Sequence, residues 1–162
     1  MNYKLRITAL LLFAFCFLPS AWSQATYRKH GPAVLPDAKY SPGQVAIRNR
    51  AKLCPHADTA ARRDVPESEK KAVCLEYGIS AANCTGKNYE IDHIVSLELG
   101  GSNDISNLFP QPFSPVPGAH EKDTLENWLH GQVCSGRISV AAAQRGIAAD
   151  WYKLYLQMEG TK

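Results

Sequence analysis

Beyond residue 23 the chain has no apolar run of membrane-spanning length, no internal repeat and no low-complexity tract. Those absences exclude a multi-span membrane protein and a repeat solenoid, and leave a single domain with one core. C-x-x-C pairs are missing too, and the gaps between cysteines are wide and irregular, which sets aside a Cys-rich structural zinc site. Net charge is scarce: the formal +3 of the 162-residue chain includes Lys4 and Arg6, and without those two it is about +1. So small a charge assigns no class of partner.

What is present begins with the first residues, MNYKLRITALLLFAFCFLPSAWSQA. Lys4 and Arg6 precede an apolar run from Ile7 to Leu18, and Pro19 and Ser20 break it. This is the pattern of a secretory signal peptide, with Ala21 and Ser23 as the small residues before a cut after Ser23. The run is shorter than the roughly 20 residues of a spanning helix, so residues 1–23 are expected to leave and the mature chain to start at Gln24. A periplasmic or secreted protein free of the membrane follows. Cys16 leaves with the leader, and Cys54, Cys74, Cys84 and Cys134 remain in an oxidising setting that favours two disulfides. Four cysteines pair in three ways, and their positions alone do not choose.

Residues 24–50 read as an extended N-terminal arm, partly mobile from Gln24 to about Gln44, where Pro, Gly and polar residues leave no hydrophobic period. Pro66 to Tyr77 carries acids early and Gly78 just beyond, so a short helix is expected. Tyr89 to Leu99 is β-prone, Gly100 and Gly101 break it, and Asn107 to Gln111 offers a return strand. Prolines at 110, 112, 115 and 117 defer the next helix to about Ala119, with Leu125, Trp128, Leu129 and Val133 on its core face. Ser139 offers an N-cap to a last helix that buries Val140, Ala143, Ile147, Trp151 and Leu154.

The residues that carry chemistry cluster in the expected hairpin and the helix after it. Asp92 can give a hard divalent cation an anionic oxygen. In a strand its neighbour His93 leaves on the opposite face, free to turn towards an attacking water as general base. Asn107, on the return side, can hydrogen-bond backbone or ring nitrogen and so hold His93. His120 can complete the metal site from the start of the helix, whereas Asp123 reads as an ordinary first-turn acid. Glu98 can approach the metal from the loop, although exposed acids near a Gly-Gly turn are usually solvated. His30 and His56 read as surface residues, and His130 lies on another part of the helix from His120. Candidate phosphate contacts are Arg62, Arg63 and Lys122; the clusters Lys70–Lys71 and Arg48–Arg50–Lys52 add local positive charge.

The stretch YEIDHIVSLELGGSNDISNLFPQP resembles the ββα-metal core of small secreted bacterial HNH endonucleases. So do a later Lys-Asp pair, Lys122 and Asp123, and the Val-Cys-x-Gly segment from Val133 to Gly136. The likeness runs from about Cys54 to Trp151, with its specific part from Glu90 to Gln111. It implies an α+β fold over residues 51–158: a short antiparallel hairpin plus helix, flanked by helices and stapled by disulfides. It also implies His93 as general base, Asn107 as the Asn of the triplet and Asp92 as the metal ligand before the histidine. His120 fills the third place only across a proline-rich interval longer than the family pattern has. The bridges implied are Cys54 with Cys134 and Cys74 with Cys84.

The expectation is therefore an exported, monomeric endonuclease that hydrolyses phosphodiester bonds, DNA before RNA, with one divalent ion. Mg²⁺ or Mn²⁺ suits the Asp ligand, and Zn²⁺ or Ni²⁺ suits the histidine. Two rivals stand beside it. One is a secreted nucleic-acid-binding or interaction module on the same scaffold with little turnover; the other is a structural zinc protein using His93 and His120. An immunity or inhibitor partner is not inferable from the sequence.

Overall fold

Two short hairpins and five helices make up residues 24–54 and 59–160, the part that the computed structural model describes. The expected leader and His56 lie outside the described residues. Strands β1 (Arg28–His30) and β2 (Ala33–Leu35) pair antiparallel, followed by α1 (Arg50–Leu53), α2 (Thr59–Arg62) and α3 (Glu67–Glu76). Strands β3 (Tyr89–His93) and β4 (Leu108–Pro112) form the second antiparallel hairpin, and α4 (Ala119–Cys134) and α5 (Val140–Glu159) close the chain. The class is α+β. Among the described residues no helix is long and apolar enough to cross a membrane.

Sequence reading expects an extended arm over residues 24–50, whereas the structure folds its first part back as β1–β2. Three-residue strands show no hydrophobic alternation, so their placement is tertiary. Ala33 and Leu35 enter the core, and the Trp151 indole donates to the Val34 carbonyl at 3.0 Å. The expected strand to Leu99 stops at His93; Ile94 to Ser96 turn away and Leu97–Leu99 form a 3-10 turn.

The main core lies between α4 and α5. Leu125, Leu129 and Val133 recur on one face of α4 and meet Val140, Ala143, Ile147 and Trp151 of α5, with Leu53, Val95 and Leu99 beneath. Ser139 caps α5 through its hydroxyl to the Ala142 amide. A second cap lies inside that helix: Asp150 is extended (φ −165°, ψ 89°), and its carboxylate accepts from the Lys153 amide at 3.0 Å. The chain therefore kinks there without losing the amide's partner.

Both glycines after the 3-10 turn have a steric reason. Gly100 takes φ +85°, and a Cβ there would lie 2.2 Å from the Ile47 carbonyl oxygen. A Cβ at Gly101 would lie 1.8 Å from the Val95 carbonyl oxygen.

Two disulfides fasten the fold, in the pairing that the resemblance implies. Cys54–Cys134 joins the end of α1 to the end of α4 across a separation of 80 residues, and Cys74–Cys84 spans 10. Loop-closure entropy makes the long bridge worth about 4.5 kcal/mol and the short one about 2.7 kcal/mol. Replacing each pair by alanine should therefore lower the urea midpoint more for Cys54/Cys134 than for Cys74/Cys84.

Candidate functional site

Adjacent side chains of a strand leave on opposite faces, and β3 divides its last two residues accordingly. Asp92 points to α4, where its Oδ2 lies 2.6 Å from the Lys122 ammonium. His93 points the other way and lines a cleft of about 590 Å³, together with Arg63, Lys70, Tyr89, Glu90 and Phe113.

The His93 ring is held by a residue that the sequence reading did not select. Its Nε2 lies 3.0 Å from Asn103 Oδ1, and the Asn103 amide nitrogen donates to the Arg62 carbonyl at 2.8 Å. That second bond orients the amide, so its oxygen faces the imidazole and Nε2 carries the proton. Nδ1 keeps its lone pair, as a general base requires. Burial pulls the His93 pKa below the ordinary value, opposed by the Asn103 hydrogen bond and the Asp92 charge, so the ring is neutral near pH 7.

Asn107 takes one of the two parts expected of it. Of the two options, backbone or ring, it takes the backbone alone. Its Oδ1 accepts from the amides of Gln44 (3.1 Å) and Val95 (3.0 Å), and its Nδ2 donates to the carbonyls of Val95 (3.0 Å) and Ser102 (2.8 Å). The side chain is wholly buried with its amide saturated, so it latches the loop that carries Asn103 and does not touch the imidazole. Two asparagines four residues apart read alike in the sequence; only the path of the loop separates their roles.

Lys122 is not the surface cation expected as a phosphate contact. It is 1% exposed, and its ammonium donates to Asp92 Oδ2, to the His93 carbonyl at 2.8 Å and to Glu126 Oε1. Burial pulls its pKa down, but the two carboxylates more than offset this and raise it. Arg62 also turns inwards, donating to the Leu97 carbonyl at 2.9 Å. Arg63 remains exposed at the cleft, joined by Lys70, which pairs with Glu67 at 2.5 Å, and by Lys71.

On the α4 side the charge is negative. Burial and the neighbouring Asp92 raise the pKa of Glu90 and of Asp123 alike, while Arg63 and Lys122 oppose the rise. His120 stands exposed in the first turn of α4, its ring 4.9 Å from that of Phe113.

A metal on Asp92 and His120 does not fit this arrangement. Asp92 already faces an ammonium, and among the described residues neither belongs to a set of three ligand atoms within 4.8 Å of one another. Such a set does exist among the described residues, in Cys54, His130 and Cys134 near the far end of α4. Its two sulfurs are joined in a disulfide, and metal ligation needs thiolates. His93 and His120 serve different neighbours, Asn103 and Phe113.

Comparison with family models, curated proteins and solved structures gave no match.

Two outcomes follow from these contacts. Lys122→Met leaves Asp92 and Glu126 buried without their cation, and should cost about 3–5 kcal/mol in urea unfolding. A lowered His93 pKa means that the unfolded chain takes up the proton first, so stability falls as pH drops below about 6.5. That contribution, read as wild type minus His93→Gln in urea midpoints across pH, should be present above this value and fade below it.

Proposed function

We propose that the chain is an exported phosphodiester hydrolase of HNH type that works on nucleic acid in the His93 cleft. The observation that carries this reading is a neutral, tautomer-fixed imidazole lining a cleft that Arg63, Lys70 and Lys71 also line. In the reaction, His93 Nδ1 takes a proton from water as the water oxygen bonds to phosphorus. The bond from phosphorus to the leaving oxygen breaks, and that oxygen takes a proton from solvent. The lining cations meet phosphate charge. Asn103 keeps the proton on Nε2 and so preserves the basic nitrogen. DNA is favoured over RNA by the resemblance of the hairpin sequence. Export agrees with two disulfides, which persist in oxidising compartments.

A second reading, a secreted nucleic-acid-binding module without turnover, is favoured by one observation: Lys122 already satisfies the carboxylate that the family uses for metal.

Plasmid nicking by the oxidised chain from Gln24, in Mg²⁺, Mn²⁺, Zn²⁺ or EDTA, separates the two. Nicking should occur and fall by about 10²–10⁴-fold in His93→Ala, while Arg63→Ala should mainly raise KM. Tight DNA binding by folded protein with the plasmid left intact would establish the binding module instead.

A further inference from the structure

Lys122 is a helix residue with three ammonium hydrogens, and the structure supplies three acceptors: Asp92 Oδ2, Glu126 Oε1 and the His93 carbonyl. Two of these belong to the expected metal ligand and the expected general base. The side chain is 1% exposed, so the ammonium has neither a spare hydrogen nor a route to substrate. We infer that Lys122 is a built-in replacement for the metal ion, placed on Asp92 where a ββα-metal site would hold a divalent cation.

Charge, distance and geometry argue for replacement over mere proximity. A carboxylate that accepts a charge-assisted hydrogen bond at 2.6 Å has given that oxygen to the ammonium. A divalent ion on the same carboxylate would sit against a positive charge in a site almost closed to water, where repulsion is poorly screened. Glu126, one helical turn from Lys122, supplies a second carboxylate that an isolated Lys–Asp pair would not need. Loss of Lys122 would leave Asp92 and Glu126, both within hydrogen-bond reach of its ammonium, as two oxygen donors of the kind that a Mg²⁺ or Mn²⁺ site uses. One residue therefore decides whether this position holds a fixed cation or an exchangeable one.

The inference rests on reading Asp92 and His93 as the working pair, but its test does not depend on cleavage. Mn²⁺ titration, followed by loss of the free-ion electron paramagnetic resonance signal, should give the same weak binding for wild type and Asp92→Asn. Folded Lys122→Met should take up Mn²⁺ with about one ion per chain, and its lowered Tm should rise on adding Mn²⁺, whereas the wild-type Tm stays put. Stoichiometric Mn²⁺ binding by wild type that disappears in Asp92→Asn would overturn the replacement. So would a folded Lys122→Met that gains no Mn²⁺. If that variant fails to fold, the wild-type and Asp92→Asn titrations decide alone. Failure of the nuclease reading would show separately, as no His93-dependent nicking, with the metal titrations unaffected.

Discussion

An ammonium taken out of water costs several kcal/mol unless charged partners meet it in good geometry. Lys122 meets that cost with acceptors from two elements, Asp92 and His93 on β3 and Glu126 on its own helix. Rotating α4 by one residue would swing the ammonium away from β3 and leave Asp92 buried and alone. Apolar packing of Leu125, Leu129 and Val133 tolerates small slides; a three-acceptor ammonium does not. The orientation of α4 against the hairpin, and with it the placing of Asp123 and His120 near the cleft, depends on this one cation.

Around that fixed point the site is divided by charge. Cations from the segment between α2 and α3 and from α3 itself line one wall, Arg63, Lys70 and Lys71, while Glu90 and Asp123 stand on the side of α4. His93 lies between, with its tautomer set by Asn103 and its charge suppressed by burial. On the proposed function, such an arrangement would draw a polyanion to one wall and turn its backbone away from the other without needing a large net charge.

Much of the fold was legible because its signals were local. The acids and glycine around α3, the apolar period of α4 and α5, the Ser139 cap and the strand–turn–strand order each arise within a few residues. What escaped was whatever tertiary contact decides. The strands β1 and β2 are too short for a period and exist because Trp151 and the core receive them. Lys122 sits beside an acid in a first helical turn, where lysines are almost always solvated; only a paired partner permits burial, and that partner lies 30 residues upstream. Asn103 and Asn107 could not be told apart until the glycine-dependent path of the loop set one towards the imidazole and the other towards backbone. The reading of His93 came from the Asp-His pair on a strand, which the opposite faces of β3 separate into two environments.

The long bridge carries a consequence for biogenesis. Cys54 finds its partner only after 80 further residues have followed it, whereas Cys74 and Cys84 come into view sooner and lie close to each other. In a chain that meets oxidant from its N-terminal end, Cys54 is exposed to two nearer thiols before Cys134 arrives. Early pairing within the first three cysteines leaves the end of α4 unfastened, and only thiol–disulfide exchange can undo it. The α1–α4 clasp is thus the bridge whose cysteines are both available last, and a chain that mispairs early reaches it only through thiol–disulfide exchange.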